Sequence, residues 1–450
     1  MKRITWIAAA ALLAAACGND QNLVDPQLIA GGGLGSGAIA GRVNVYVIDA
    51  DTDQPISGAD VYVGEPGSDP FQGVTDSSGL YTLDDGSLDG PTTVTVSADG
   101  YPAQTWFGAN GANITIPLSS GTAAAVPTAT LTGTIAGWDS LPEPQANHVT
   151  IGVVSYSYTR NLGDPENDIK QPSVGMIPAN ACTKSPLGSM CNWSLISRTG
   201  KVALFTIILD LDTKGTASGA DDTTTVIGFA FKRGVTVEDG VDQSGLSLDM
   251  LDVTAQTDVD VTSDTPPSGL TNDTGVIMGL DVGDEGIAMV SILQDSSAGT
   301  VTVPALSGMF DGDSYQAIAF AQMGSADGDP STGIIQRGIT DLSGGVDLGP
   351  WLPLPSGLAE AGGEYSFAPV DGASLHTFSM RTANGEVWGG ALLDGRTSFT
   401  LPGISPDPLP SAYDMQIGAF DGPLDVEDFR IDDFTQTFVR TSDNKTPIGQ

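Results

Sequence analysis

The sequence predicts an all-β protein assembled from tandem β-sandwich domains, and three observations carry that expectation. Short runs rich in Val, Ile, Thr and aromatic residues are separated by Gly, Asp, Ser, Thr and Pro at spacings of roughly 8–12 residues, the punctuation of sandwiches. Several runs alternate strictly: Val43, Val45 and Val47 share one face of a strand, and Thr93–Ser97 and Asn113–Leu118 repeat the pattern. No long segment combines helical periodicity with freedom from Gly and Pro.

The first element is a targeting segment. Met1-Lys2-Arg3 is cationic, Ile4–Ala16 is short, apolar and ends in small residues, and Cys17 follows directly. This pattern resembles the lipobox of bacterial lipoproteins. The resemblance implies removal of residues 1–16, acylation of Cys17, and a lipid-anchored protein of the bacterial cell envelope, at the outer membrane or cell surface. An ordinary secretory signal cut near Ala16 is the alternative. The apolar run is too short for a membrane span, and no later stretch approaches about 20 apolar residues. Residues 17–37, ending in Gly31-Gly32-Gly33-Leu34-Gly35-Ser36-Gly37, read as a flexible tether.

Residues 38–118 form the first expected domain. Gly41-Arg42-Val43 opens a strand, and Pro55 presets φ before Gly58 permits a bend into Val61 and Val63. Thr75-Asp76-Ser77-Ser78-Gly79 has tight-turn composition, and Val94-Thr95-Val96-Ser97-Ala98-Asp99-Gly100-Tyr101 closes the series. This order resembles the carboxypeptidase regulatory-like domain. The resemblance implies a seven-stranded prealbumin-like sandwich, a class with carbohydrate-binding relatives. Trp106 and Phe107, just past the Gly100-Tyr101 turn, then become candidates for a ligand-binding aromatic platform. The competing reading places every Trp in a sandwich core, Trp388 included.

A Thr- and Ala-rich joint at 119–129 leads into a sandwich at 130–265. Three Cys is an odd number for a secreted chain. Acylation of Cys17 would leave Cys182 and Cys191, nine apart with Pro186 and Gly188 between them, free to pair in an oxidising compartment. A thiolate or metal pair is the alternative, without a nearby His or second Cys pair to support it. Thr254–Gly269 reads as a second joint, and 270–355 as a further β-rich domain or as one unit with 130–265. Two long runs, Val202–Leu209 and Ile287–Leu293, look buried on both faces. Residues 356–440, through Tyr365-Ser366-Phe367, Leu375–Met380, Trp388, Phe399-Thr400-Leu401-Pro402 and Tyr413–Phe420, resemble fibronectin type III and related immunoglobulin-like modules.

Charge excludes some partners. The formal charge is −38, and losing Lys2 and Arg3 with the signal takes it from −38 to −40. Nucleic acid and anionic headgroups bind through Lys and Arg, so both are repelled, and a lipid would have to hold the chain at the membrane.

Catalytic patterns are sparse. His148 and His376 are the only histidines and lie far apart, so neither a zinc peptidase nor a Ser-His-Asp hydrolase has local support. A Gly-x-Ser-x-Gly elbow is missing, and Gly31-Gly32-Gly33 does not lead into a phosphate-loop Lys. Asp49, Asp51 and Asp53, at alternate positions, suit a hard cation, so a structural Ca²⁺ is the one cofactor to consider; solvated turn residues are the alternative. Paired acids could also hydrolyse glycosides, but no cleft is readable from spacing.

These readings converge on a non-catalytic, lipid-anchored envelope protein whose sandwiches serve structural, adhesive or partner-binding roles. Its partners would be the membrane through the lipid, and a glycan or another envelope protein. A carbohydrate-binding lipoprotein using Trp106 and Phe107 is one alternative, and an enzyme of unrecognised type within 130–355 is another.

Overall fold

The computed structural model describes residues 24–120, 125–161, 164–167, 169–174, 177–216, 221–270, 273–294, 296–324 and 329–449. Cys17 lies outside them. The described chain is almost entirely β, with one short α-helix at Ile431–Thr437. The all-β expectation holds.

Seven strands fall within 38–118. Ala40–Asp49, Leu80–Asp89 and Asn113–Leu118 contribute to one sheet, and Asp60–Val63, Phe71–Val74, Thr92–Ser97 and Ala103–Ala109 to the other. The alternation read from sequence is the packing pattern: Val43, Val45, Val47, Val61, Val63, Val94, Val96, Ile114 and Ile116 are fully buried between the sheets.

The tether expectation needs correction over 24–37. Gly33–Gly35 is a strand pairing antiparallel with Asn113–Leu118 on one side and Phe429–Arg430 on the other, and Leu34 is completely buried. Glycine serves close approach here: Gly33 has φ 150°, and a Cβ on it would stand 2.1 Å from the Phe429 carbonyl oxygen. The composition of a flexible linker and that of a tightly paired glycine strand are the same, and only the partner strands distinguish them.

The second unit is an eight-stranded sheet that curls around its own core. Gly200–Asp212 and Thr223–Val237 are its long central strands. One face carries Val202, Leu204 and Ile208 into that core beside Trp138 and Trp193. The opposite face carries Ala203, Phe205, Phe229 and Phe231 into a second core, shared with Val259, Val261, Met278, Val290 and Tyr315. The stretches 130–265 and 270–355 therefore share a hydrophobic core.

Two further boundaries shift. The expected joint at 254–269 contains the strand Gln256–Thr262, which pairs with Ala298–Pro304. Val259 and Val261 point inward while Asp258 and Asp260 point outward, accepting hydrogen bonds from the Thr302 and Thr300 hydroxyls at 2.7 and 2.6 Å. Acids on the solvent face had masked a period-2 strand. Ile287–Gln294 is an edge strand with Ile292 half exposed, so burial on both faces fails there. The last unit runs past 440, since Arg440–Ile448 pairs with Tyr413–Asp421.

That last strand also joins units. Arg440–Ile448 pairs with Ser331–Ile339 on its other side, and Gly385–Leu392 pairs in parallel with Ala103–Ala109. A single twelve-stranded sheet thereby runs from the third unit, through the C-terminal one, into the N-terminal sandwich.

Candidate functional site

The seam between the N-terminal and C-terminal sandwiches holds the aromatic pair singled out by sequence. Successive residues of Ala103–Ala109 point to opposite faces, so Trp106 and Phe107 enter different cores. Trp106 is 5% exposed and meets Phe429 edge-on at 6.4 Å. Phe107 is fully buried against Phe378 and Phe399, at 6.0 and 5.5 Å. The platform expectation is corrected: a ring that stacks on a sugar must present a face to solvent, and neither does. Trp388, expected in a core, is 1% exposed.

Polar groups lock the same seam. The Trp388 indole N–H donates to the Thr105 hydroxyl at 3.0 Å, and the Gln104 amide donates to Glu386 at 3.0 Å. Arg396 spans the junction, donating to Glu65 at 3.1 Å and to Asp394, with its guanidinium 4.6 Å from the Phe107 ring centre. Burial alone would push Arg396 down, but Asp394 and Glu65 together hold it above its ordinary value. Gly390 is required here, because a Cβ would stand 1.9 Å from the Thr105 carbonyl oxygen.

The acidic turn sits on the rim of this seam. One Asp49 oxygen accepts the Asp51 N–H at 3.0 Å and the Thr52 hydroxyl at 2.8 Å, and the other accepts the Tyr101 hydroxyl at 2.7 Å. Burial would raise the Asp49 carboxyl, and these hydrogen bonds outweigh it and hold it below its usual range. Asp53 has φ 55°, a turn conformation that Asp tolerates. Asp51 and Asp53 do not join Asp49 in a ligand set, and among the described residues no three His, Cys, Asp or Glu side chains form a metal-ready group. Tyr101 lines two open cavities of about 600 and 450 Å³ between the sandwiches, bordered by Arg381, Glu386 and Pro408 on one side and by Ser57, Asp99 and Pro406 on the other. This cleft offers hydroxyl, amide and charged hydrogen-bonding groups to a small polar ligand. Sequence reasoning read Tyr101 only as part of a turn.

The histidines are far apart in role as well as position. His148 Nδ1 lies 2.7 Å from Asp210 and Nε2 lies 3.7 Å from Asp212, on adjacent strand ends. His376 is 6% exposed beside Phe367, its Nε2 has no hydrogen-bond partner, and burial pushes its pKa down.

Cys182 and Cys191 form the expected disulfide. It closes the hairpin Ala181–Ser185/Gly188–Met190, whose tip residue Leu187 is 99% exposed. Lys184 in this hairpin is buried, donating to the Asp139 and Leu141 carbonyls at 3.0 and 2.6 Å and pairing with Glu143.

A second lock lies between the curled sheet and the third unit. The buried Glu285 carboxylate accepts from Arg233 Nε and from the Gly234 N–H, each at 3.0 Å. Arg233 also donates to Asp313 at 2.6 Å and to the Val282 and Met309 carbonyls. The Arg198 guanidinium reaches the Glu285 carbonyl at 2.9 Å. Sequence reasoning missed this hub by attending to acids. The usable signal was the scarcity of cations: with 17 Lys and Arg against 55 acids, an Arg inside a strand run, such as Arg233, is a candidate for a charge drawn into the fold.

No family model matches the chain, and no curated protein does. Among solved structures, the Bacillus anthracis TIE protein aligns at 10% identity over 69% of this chain and 50% of its own, with a TM-score of 0.15. The shaft pilin SpaA of Lactobacillus rhamnosus GG aligns at 10% over 48% of this chain and 99% of its own, TM-score 0.13. The major pilin SpaD of Corynebacterium diphtheriae aligns at 8% over 64% and 88%, TM-score 0.15. The chain thus spans about half the length of the TIE protein. At these scores the fold assignment rests on the chain's own sheets.

Proposed function

We propose that this protein is a non-catalytic, lipid-anchored component of the bacterial cell envelope, a rigid acidic body that serves a structural, adhesive or partner-binding role. The observation that carries the reading is the fusion of its sandwiches through one twelve-stranded sheet and shared cores. Such a body holds its surfaces in fixed mutual orientation. Its Arg–carboxylate groups at the seams fasten units together, and among the described residues His148 pairs with Asp210 and Asp212 while His376 Nε2 has no hydrogen-bond partner.

The anchor would hold this body close to the bilayer. Val24, whose carbonyl accepts a hydrogen bond from Asn44, stands only seven positions after Cys17. An extended chain of that length reaches at most about 25 Å. Metabolic labelling with a radioactive fatty acid tests the anchor: label is expected on the wild type and not on Cys17→Ala, and equal labelling refutes it.

The glycan alternative now rests on the Tyr101 cleft rather than on Trp106 and Phe107. A glycan array probed with the mature protein and with Tyr101→Ala decides it, a Tyr101-dependent signal supporting the glycan reading. The reading needs no cofactor. A structural Ca²⁺ at Asp49–Asp53 would announce itself as a melting temperature lowered by a chelator and lost in Asp49→Asn.

A further inference from the structure

Arg337 is a cation without an anion in a chain dominated by acids. It stands on the strand Ser331–Ile339 and is half-buried. One Nη donates to the Phe438 carbonyl and the other to the Thr435 carbonyl at 3.4 Å, both at the C-terminal end of the helix Ile431–Thr437, and the Phe438 ring lies 5.5 Å away. Two of the five guanidinium N–H donors are thus used and three remain. Among the described residues no carboxylate pairs with it. Burial pushes its pKa down, with no neighbouring charge acting against that effect. At the seams Arg233, Arg396 and Arg440 each hold a carboxylate, while Arg198, like Arg337, donates only to backbone carbonyls but with its Nε and both Nη engaged.

Arg337 borders a cavity of about 680 Å³ where the third unit, the loop after Val346–Asp347 and the C-terminal strand meet. Ile334, Leu348, Pro350 and Val439 make much of the remaining lining apolar. Arg440 is also there, but Asp421 neutralises it through bonds of 2.6 and 2.8 Å. Asp347 accepts the Gly349 N–H at 3.2 Å within its own turn. The volume lies in the range of small-molecule sites, roughly 300–1,000 Å³. A guanidinium edge matches a carboxylate in two parallel hydrogen bonds. A doubly charged phosphate would meet more repulsion from Asp347 and Asp421 than a single carboxylate does.

We propose that this cavity binds a small amphiphilic carboxylate, its charged end on Arg337 and its apolar body against Ile334, Leu348, Pro350 and Val439. Charge complementarity selects the head and the lining selects the tail. The ligand would touch both the third and the C-terminal unit, so binding would also tighten their junction.

Calorimetric titration of the mature protein with decanoate, decanol and decyl phosphate tests the assignment. Decanoate is expected to bind at least about tenfold more tightly than either analogue, a difference of one charge-assisted contact. Arg337→Gln should reduce decanoate to the level of decanol. Because Arg337 also caps the helix, Val439→Asp provides a second variant: Val439 is 43% exposed, and its replacement adds a carboxylate at the cavity without touching the Arg337 contacts. That variant should lose decanoate at an unchanged melting temperature. The proposal is overturned by equal binding of decanoate and decanol, by wild-type affinity in both variants, or by no decanoate binding up to about 1 mM.

Discussion

Replacing Glu285 with Ala should destabilise the junction of the second and third units by about 2–3 kcal/mol. The carboxylate is buried and holds two donors, Arg233 Nε and the Gly234 N–H, at 3.0 Å each. Losing it removes the part-buried bond to the Gly234 N–H, and because Gly234 itself is exposed, water recovers some of the roughly 1–3 kcal/mol that a fully buried unmade bond costs. Arg233 keeps Asp313 and two carbonyls, so its charge is not stranded, and the roughly 3–5 kcal/mol expected for a stripped buried ion is not reached. Glu285→Gln retains an acceptor for Gly234 and should cost about half as much. The neighbouring Asp284, paired with Lys201 on the surface, is the internal comparison, and Asp284→Ala should leave the midpoint unchanged. Equilibrium urea unfolding of the three variants, followed by tryptophan fluorescence, makes the measurement, since Trp138, Trp193 and Trp351 report on the two cores involved. Equal midpoints for Glu285→Ala and Asp284→Ala would refute the assignment of Glu285 as the hub.

Other predictions concern the staple, the histidine and the seam. Converting Cys182 and Cys191 to Ser opens a loop with a separation of nine residues and should lower stability by about 2.6 kcal/mol from chain entropy, read as a reduced melting temperature matched by dithiothreitol treatment of the wild type. His376 is held neutral by burial, with its folded pKa below 6.5, so stability is complete above pH 6.5 and declines as pH falls from there toward the folded value. The slope should not exceed about 1.4 kcal/mol per pH unit, and His376→Phe should flatten that limb of the stability profile. Trp106→Ala should cost about 3–5 kcal/mol by opening a core cavity, whereas Trp106→Phe should leave any glycan-array signal intact; loss of signal in a folded Trp106→Phe protein would restore the platform reading.

Much of the architecture was legible in local patterns. Val43, Val45 and Val47 point inward as their alternation requires, because a strand side chain has only two faces to choose from. The disulfide was legible because two Cys remained once Cys17 had been set aside, and the Pro186–Gly188 segment between them has reversal composition. Legibility failed where one residue type serves two physical ends. Asp258 and Asp260 read as joint residues but decorate the outer face of a strand, and Gly31–Gly37 reads as a linker but supplies a strand in which Gly33 has no room for a Cβ. Trp106 and Phe107 read as a platform because a sequence shows neighbours along the chain, while burial is imposed by Leu375, Phe378, Phe399 and Phe429 from far away.

The sequence by itself determined the secondary structure class, the inward faces of the regular strands, the acidic surface and the pairing of the two cysteines, since each follows from period, charge or count. The tertiary structure alone decided that the sandwiches are fused, that the seam consumes the aromatics, and which arginines find carboxylates and which, like Arg198 and Arg337, find backbone carbonyls. Those outcomes depend on contacts between residues hundreds of positions apart, as between Glu65 and Arg396, 331 apart. No local pattern records such a contact, because the physical interaction that fixes it exists only once the sheets have met.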